Sequence, residues 1–190
     1  MSPASAQPQP HSHPCPAWLG GLLDNPLRRL LQDPRTILAG RVRPGQRAAD
    51  IGAGSGFFAV PLGQLVGPSG RVYAVDFQPE MLDQIDRKAA QHNVRNVVTG
   101  CSDGSAFTLP APVDFILVFW MLHEVADPAQ LVDAVRAALT EHGTVLFAEP
   151  KFHVPQAVFQ QEAALFTAAG FRIRETPTIR ASRSLLFERA

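Results

Sequence analysis

Short apolar runs alternate with segments of helical spacing along most of the chain. Five runs have the length and composition of buried strands, and they cover residues 48–51, 71–76, 96–100, 113–119 and 144–148. Between them, apolar side chains recur three and four positions apart, which predicts helices over 57–66, from 79, from 128 and over 156–169. Strands that are apolar throughout and separated by helices are typical of a parallel sheet covered on both faces.

The end of the chain breaks this alternation. Two strand-like runs, Phe171 to Glu175 and Ser184 to Arg189, follow each other with no room for a helix between them. They are expected to pair as an antiparallel hairpin. The predicted fold class is therefore α/β, a Rossmann-like, doubly wound and mostly parallel sheet with an antiparallel C-terminal hairpin.

The first 17 residues have a different composition. They hold five of the 17 prolines, with serine, glutamine and histidine between them, and such a segment cannot bury a core. Residues 1–17 are therefore predicted to form a disordered tail. The alternative is a metal site at His11, His13 and Cys15, but no further ligand cluster lies nearby to complete it, and no metal is expected.

From residue 18 onward the pattern becomes that of a globular domain. Residues 18–190 are predicted to form a single domain that opens with helices over 18–44. Within that stretch Asp33 followed by Pro34 is typical of a helix start.

Composition and charge limit the function classes. The chain has 190 residues, and Lys+Arg and Asp+Glu are both 17, so it lacks the cationic surplus of a nucleic-acid-binding protein. No apolar run approaches the ~20 residues of a membrane span. Two cysteines without a spacing motif and the lack of a secretory signal favour the cytoplasm, and abundant Arg and Ala favour a bacterial source. The oligomeric state stays open.

A glycine-rich turn follows the first predicted strand, in Asp50-Ile51-Gly52-Ala53-Gly54-Ser55-Gly56. Glycines at these positions let the backbone turn sharply and come close to a ligand. Asp76 ends the next strand 20 residues after Gly56, where a carboxylate can accept hydrogen bonds from both hydroxyls of a ribose. Together the two features predict a nucleoside-type ligand.

The acid before the glycines distinguishes between nucleoside ligands. A dinucleotide fingerprint reads G-x-G-x-x-G and receives a pyrophosphate, whereas this turn reads G-x-G-x-G with Asp50 two residues before its first glycine. Asp50 would repel a pyrophosphate but suits an ammonium group. A ligand with a ribose at one end and a cationic amino group at the other has the shape of S-adenosylmethionine.

Further segments extend this pattern: Val72-Tyr73-Ala74-Val75-Asp76 with Pro79-Glu80-Met81-Leu82, then Val113 to Val118 followed by Leu122-His123-Glu124-Val125, and Gly170-Phe171 before the hairpin. With the glycine turn they resemble the class I S-adenosylmethionine-dependent methyltransferases, in particular the small bacterial branch akin to the ubiquinone/menaquinone- and arsenite methyltransferases. The resemblance covers about residues 18–190. It implies a seven-stranded sheet with one antiparallel strand, S-adenosylmethionine as the cofactor, and methyl transfer as the activity.

The resemblance also assigns roles around the methionine and ribose parts of the cofactor. The residues that match the loop around the methionine part are Gly52, Ala53, Gly54 and Gly56. Asp50 matches the acid near the amino group, and Asp76 matches the acid that binds the ribose.

Other matching positions concern the adenine end. Phe77 and Met81 match positions that pack on the adenine or ribose, although the helical spacing of Met81 equally suits a core residue. Asp103 is the candidate for binding the adenine amino group, with Ser102 or Ser105 as alternatives.

Catalysis needs few groups, because methyl transfer is an in-line displacement at a sulfonium that is already activated by its charge. A base is required only where the acceptor must lose a proton. The candidate bases are His123, Glu124 and Glu149, and the catalytic prediction names His123 and Glu124. The alternative for His123 is a histidine that bonds to the backbone at a helix start. Glu162 shows no feature beyond that of a surface residue.

Aromatic residues are expected to gather at the ends of the fourth and fifth strands, where Phe119 would lie beside the methyl group. The group comprises Phe119, Trp120, Phe147 and Phe152. An apolar mouth of this kind suits a small aromatic or lipid-like methyl acceptor, and the alternative is that several of these rings fill the core. Methyl transfer to a small apolar or aromatic molecule is the leading prediction. The alternatives are an NAD-dependent oxidoreductase on a related fold and a non-catalytic cofactor-binding module.

Overall fold

A computed structural model describes residues 32–190. The predicted tail and the part of the predicted N-terminal helices that precedes Gln32 lie outside the described residues. Within this range seven strands form one sheet: β1 (Arg47–Ile51), β2 (Arg71–Asp76), β3 (Val97–Cys101), β4 (Val113–Phe119), β5 (Leu139–Pro150), β6 (Phe171–Glu175) and β7 (Ser182–Arg189). The helices are α1 (Pro34–Leu38), α2 (Ala59–Val66), α3 (Pro79–Gln91), α4 (Pro128–Ala138) and α5 (Gln156–Ala168), with a short 3-10 turn at Leu122–Glu124.

The strands lie in the order β3-β2-β1-β4-β5-β7-β6. Neighbouring strands from β3 to β5 pair in parallel, whereas β7 runs antiparallel to both β5 and β6. The predicted doubly wound sheet with its antiparallel C-terminal hairpin is therefore confirmed. From β1 the chain continues to β2 and β3 on one side of the sheet, whereas β4 and β5 lie on the other side of β1. The strand order therefore reverses between β1 and β4, and such a switch point leaves a crevice at the carboxyl ends of the two strands.

Alternating side chains of the strands supply two separate cores. Phe115 and Leu117 of β4 lie in the core that includes residues of α1 and α2, and Ile116 and Val118 lie in the core that includes residues of α4 and α5. All four side chains are fully buried. Helices on both faces explain why these strands lack the polar alternation of a half-exposed sheet.

Several predicted boundaries move, and two of these changes concern the site. The helix predicted from Phe57 begins at Ala59, because the preceding residues remain in the turn that carries the glycines. The strand predicted over 144–148 extends over Leu139–Pro150, and at its carboxyl end Glu149 and Pro150 pair with residues of β7. This extension matters for the site because it places Glu149 inside the sheet.

Helix starts follow the predicted capping pattern. The Asp33 side chain accepts a hydrogen bond from the Arg35 amide (3.1 Å) before Pro34. Asp127 does the same for the amide of Gln130 (2.9 Å) at the start of α4. Such caps satisfy amides that have no partner within the helix.

Candidate active site

Two adjoining cavities open at the carboxyl edge of the sheet. The first, here called the Asp76 cavity, has a volume of about 330 Å³, and the second, the His123 cavity, has about 350 Å³. The residues that line both are Gly52, Gly54, Met81, Trp120 and Glu124. A ligand that extends from one cavity into the other would therefore pass over the glycine turn.

The glycine turn has a backbone that only glycine adopts easily. Gly52 has a φ of +69° and Gly54 has a φ of +51°, in the left-handed region. A Cβ on Gly52 would lie 2.8 Å from Cγ of Met121, whereas a Cβ on Gly54 would meet no atom within 4 Å. The open space therefore reaches the backbone of Gly54, as it must if a ligand is to lie against the turn.

Asp76 braces this turn from the end of β2. Its Oδ2 accepts a hydrogen bond from the Gly54 amide (2.8 Å), and its Oδ1 accepts one from the Gln78 amide (3.0 Å). Burial raises the pKa of Asp76, and the amides of Gln78 and Gly54 oppose that rise. Each carboxylate oxygen has a second lone pair, so Asp76 can hold the turn and still accept hydrogen bonds from a ligand.

The residues expected at the adenine end line the Asp76 cavity. Phe77 is 42% exposed at its mouth, and Met81 is buried against it. Asp103 lines the same cavity from an exposed loop, where its Oδ1 accepts hydrogen bonds from the amides of Ser105 (3.0 Å) and Ala106 (2.6 Å). These amides, that of Ala106 most, lower the pKa of Asp103. Ser105 lines the cavity as well, whereas the Ser102 hydroxyl accepts a hydrogen bond from within the loop.

The predicted methionine-binding residues divide between the two sides of the turn. Asp50 is buried near the end of β1 and lines the His123 cavity together with Ala53. Gly56 lies behind the turn, where a Cβ would come within 3.0 Å of Cγ1 of Ile85. A glycine is required at position 56 because the turn packs closely on α3.

His123, which lines the His123 cavity, forms a hydrogen-bonded pair with Glu149. The Nδ1 atom of His123 lies 2.7 Å from Oε2 of Glu149, and the Glu149 side chain is fully buried. Oε1 of Glu149 accepts hydrogen bonds from the amides of Leu122 (2.9 Å) and His123 (3.3 Å). A carboxylate on Nδ1 favours the tautomer with its proton on that atom, which leaves the Nε2 lone pair available.

The charges around His123 favour its protonated form. Burial lowers the pKa of His123, but the hydrogen bond and the charge of Glu149 raise it, with further contributions from Glu124 and Glu162. The net pKa lies above the ordinary value of 6.5. Nε2 of His123 is also 3.7 Å from Oε1 of Glu124, which is partly exposed at the boundary between the cavities.

Aromatic rings form a continuous wall of the His123 cavity. The ring centroids of Phe58 and Phe119 are 4.5 Å apart, those of Phe119 and Trp120 are 5.6 Å apart, and those of Trp120 and Phe152 are 5.4 Å apart. Phe152 is 75% exposed. The expected aromatic mouth is thus present, but Phe147 is not part of it, because that side chain points into the core and stacks on Phe159.

Two residues of the site depart from the sequence-based expectation. Glu162, predicted to lie on the surface, is only 6% exposed and lies on the buried face of α5 with Phe159 and Phe166. The spacing of these three residues was an available signal for its burial. Phe58, which no motif singled out, contributes to the aromatic wall because the turn extends as far as that residue.

Comparison with known proteins agrees with this arrangement. The family model of the methyltransferase domain matches residues 48–143, a range that contains the glycine turn, Asp76 and His123. A demethylmenaquinone methyltransferase of Lactobacillus johnsonii is 31% identical over 108 residues, which are 55% of this chain and 44% of that protein. A protein-L-isoaspartate O-methyltransferase of Methanothrix thermoacetophila is 33% identical over 88 residues, which are 46% of this chain and 42% of that protein.

The fold has a full-length counterpart among solved structures. The crystal structure of a SAM-dependent methyltransferase from Aquifex aeolicus matches with a TM-score of 0.80 and 22% identity, and the match covers 92% of this chain and 98% of that one. The chain belongs to the methyltransferase domain family, and its fold is that of a solved S-adenosylmethionine-dependent methyltransferase. It spans less than half the length of the curated relatives it matches.

The residues present fit this cofactor. The open backbone at Gly54 leaves room for a ligand against the turn, and two buried carboxylates, Asp50 and Asp76, lie on either side of it. A carboxylate suits both the ribose hydroxyls and the ammonium group of S-adenosylmethionine. Within residues 32–190 there is no cluster of three or more side chains arranged to bind a metal ion, and none of the helices has the length and apolar character needed to cross a membrane.

Proposed function

We propose that this protein transfers a methyl group from S-adenosylmethionine to a small aromatic molecule that bears an ionisable hydroxyl or thiol group. The observation that carries the proposal is the aromatic wall of the His123 cavity, which continues from Phe58 to Phe152 directly beside the glycine turn. Flat rings pack favourably on such walls in offset or edge-on arrangements.

The size of the cavity supports a small acceptor. A volume of about 350 Å³ lies at the lower end of the range for small-molecule sites. The balance of 17 basic and 17 acidic residues also favours a small molecule over nucleic acid as the partner. We further propose that residues 18–190 act as one domain and that the protein works in the cytoplasm.

In this proposal Asp50, Asp76 and the glycine turn hold the cofactor, with Phe77, Met81 and Asp103 on its adenine side and Phe119 near the reacting methyl group. S-adenosylmethionine supplies an electrophilic methyl carbon on a positively charged sulfur. The acceptor oxygen or sulfur forms a bond to that carbon as the carbon–sulfur bond breaks, and the electron pair of the broken bond stays on the cofactor sulfur. The proton of the acceptor passes to Nε2 of His123.

Glu149 makes this proton transfer favourable. Its carboxylate bonds to Nδ1 of His123 at 2.7 Å and stabilises the imidazolium that forms. Because the pKa of His123 is raised, the neutral imidazole needed to accept a proton is populated as the pH rises through that pKa. Methyl transfer should therefore increase with pH up to a plateau.

The proposal is tested by incubating the full-length protein with methyl-labelled S-adenosylmethionine and a panel of acceptors. The panel contains catechols, reduced quinones, aromatic thiols, an isoaspartyl peptide and a tRNA transcript. Label should enter the aromatic hydroxyl or thiol compounds. Transfer only to the peptide or only to the RNA would overturn the assignment of the acceptor, and transfer to none would favour the non-catalytic alternative.

The role of His123 is tested by His123→Ala with His142→Ala as the control. His142 is an exposed histidine near the start of β5, at the end of the strand remote from Glu149. Loss of a general base costs about 10²-fold or more in turnover. The His123 variant should show this loss with unchanged cofactor affinity, and turnover within a few-fold of the parent would rule out His123 as the base.

A further inference from the structure

A second buried carboxyl group, Glu162, lies on α5, the helix that packs against the 3-10 turn carrying His123. Glu162 is 6% exposed, on the face of the helix that packs against the sheet. Within residues 32–190 its Oε2 has no hydrogen-bond partner. A buried carboxyl oxygen that lacks such a partner is costly to the fold, so a glutamate at this position calls for an explanation.

The contacts of Glu149 leave it little freedom. Its two oxygens accept three hydrogen bonds, from the amides of Leu122 and His123 and from Nδ1 of His123. The first two tie the carboxylate to the backbone of the 3-10 turn that carries the histidine. The third therefore fixes both the tautomer and the orientation of the ring.

The charges of His123 and Glu149 affect the pKa of Glu162. Burial and, to a smaller extent, the charge of Glu149 raise the pKa of Glu162 to about 7, against the opposing effect of the charge of His123. In return, Glu162 is one of the groups that raise the pKa of His123. The other titratable groups that face the ring are Glu124, 3.7 Å from Nε2, and His153, whose ring centroid is 5.0 Å away.

We infer that Glu149 and Glu162 are positioning residues that act through His123. Glu149 holds the imidazole with Nε2 available to the acceptor, and Glu162 adjusts how strongly that nitrogen binds a proton by gaining or losing its own. With Glu162 neutral, a single buried carboxylate faces the ring, and His123 gives up its proton more readily. With Glu162 ionised, the imidazolium is stabilised further. The inference rests on the proposed role of His123 as the base.

The test is an NMR titration of the histidine rings in the full-length protein labelled with ¹⁵N, which requires no methyl acceptor. His123→Ala identifies the signals of His123. In the parent protein the neutral ring should carry its proton on Nδ1. Glu149→Gln should lower the pKa of His123, because burial then acts without the carboxylate that opposes it most. Glu162→Gln should lower it by a smaller amount and leave the tautomer unchanged.

Glu141→Gln is the matched control, because Glu141 lies on the same strand as Glu149 but is exposed near its other end. It should leave the His123 titration unchanged. A neutral His123 with its proton on Nε2 in the parent protein would overturn the role of Glu149, and this measurement needs no variant of Glu149 or Glu162. An unchanged His123 pKa in Glu162→Gln would overturn the role of Glu162.

Turnover separates this inference from the proposed function. In Glu149→Gln, the turnover number should fall at least about tenfold with the affinity for S-adenosylmethionine unchanged, and the rising limb of the pH profile should move to lower pH. Parallel pH profiles for parent and variant would contradict the inference. If His123→Ala keeps full turnover while Glu149→Gln still moves the His123 titration, the proposed base is wrong but the coupling of the three groups stands.

Discussion

The indole Nε1 of Trp120 donates a hydrogen bond to Oγ of Ser182 at 2.9 Å, which joins the aromatic wall of the His123 cavity to β7. Trp120 has a backbone φ of +60°, an uncommon conformation for a side chain of this size. Ser182 also accepts a hydrogen bond from Nε2 of Gln32 (3.1 Å). The antiparallel strand at the end of the chain thus holds a ring that lies between both cavities.

The first prediction concerns this contact. In Ser182→Ala the Trp120 ring loses its anchor, so the KM for an aromatic acceptor should rise about three- to tenfold, the effect of roughly 1 kcal/mol. The affinity for S-adenosylmethionine should stay within about twofold. Steady-state kinetics with the best acceptor of the panel measures the first value, and calorimetry measures the second.

Ser184→Ala is the control, since Ser184 is a buried serine of the same strand whose hydroxyl donates to the carbonyl of Pro177. Equal effects of the two substitutions would show that the anchor has no specific role.

The second prediction concerns Asp76. Asp76→Ala removes the carboxylate that holds Gly54 and is assigned to the ribose, so cofactor binding should weaken by ~1.5–3 kcal/mol, or roughly 10- to 150-fold in Kd. Calorimetric titration with S-adenosylmethionine measures this. Asp83→Ala, at an exposed position on the following helix, should bind as the parent does. An Asp76 variant with parental affinity would remove this residue from the cofactor site. Added chelator should change neither value.

The third prediction concerns the glycine turn. Gly52→Ala would place a Cβ 2.8 Å from Cγ of Met121 on a backbone with a φ of +69°. Unfolding in urea should show a loss of about 1–2 kcal/mol, and cofactor affinity should fall as well, because the turn must shift. Gly100→Ala is the control, since a Cβ there meets no atom within 4 Å and the backbone lies outside the left-handed region. A Gly52 variant as stable as the Gly100 variant would contradict the strain described here.

The fourth prediction concerns the pH dependence of stability. The pKa of Glu162 is about 7 in the folded protein against an ordinary value of 4.5, so the folded state binds this proton more tightly than the unfolded state. The resulting stabilisation is complete below about pH 4.5 and is lost as the pH rises through 7. Glu162→Gln cannot ionise. Its free energy of unfolding relative to the parent should therefore increase between pH 5 and pH 8, by roughly 1–3 kcal/mol. Urea unfolding at both pH values measures the difference, and equal differences at the two would show that Glu162 does not titrate in this range.

Local sequence patterns were enough to predict the framework of the fold. Apolar runs such as Val113–Phe119 can be buried only in a covered parallel strand, and Asp33 and Asp127 cap helices by contacts that span three residues or fewer. The glycine turn and Asp76 could also be recognised from the sequence, because a glycine that needs a positive φ and an acid at the end of a strand are each identified by a single residue. Asp76 follows Gly54 by 22 residues and still accepts a hydrogen bond from its amide. The βαβ pattern brings the two together because they lie at the ends of adjacent strands.

The surroundings of His123 depended on contacts that no local pattern contains. Glu149 lies 26 positions further along the chain and reaches the ring only because β4 and β5 pair in parallel. Phe147, two residues before it, points to the core on the same strand. The spacing of Phe159, Glu162 and Phe166 signals that Glu162 is buried, but it does not reveal that the charge of Glu162 acts on His123.

The class of fold follows from the alternation of strands and helices along the chain. The glycine turn and the acids assigned to the cofactor follow from backbone conformation and residue spacing in consecutive strand–turn–helix units. The aromatic rings that line the His123 cavity and the carboxylate that holds His123 are brought together only when the chain folds. The electrostatics of His123 likewise depend on the fold, because the pKa of a side chain depends on burial and on charges a few ångströms away. Those charges come from β5, α5 and the 3-10 turn, which meet only in the folded sheet.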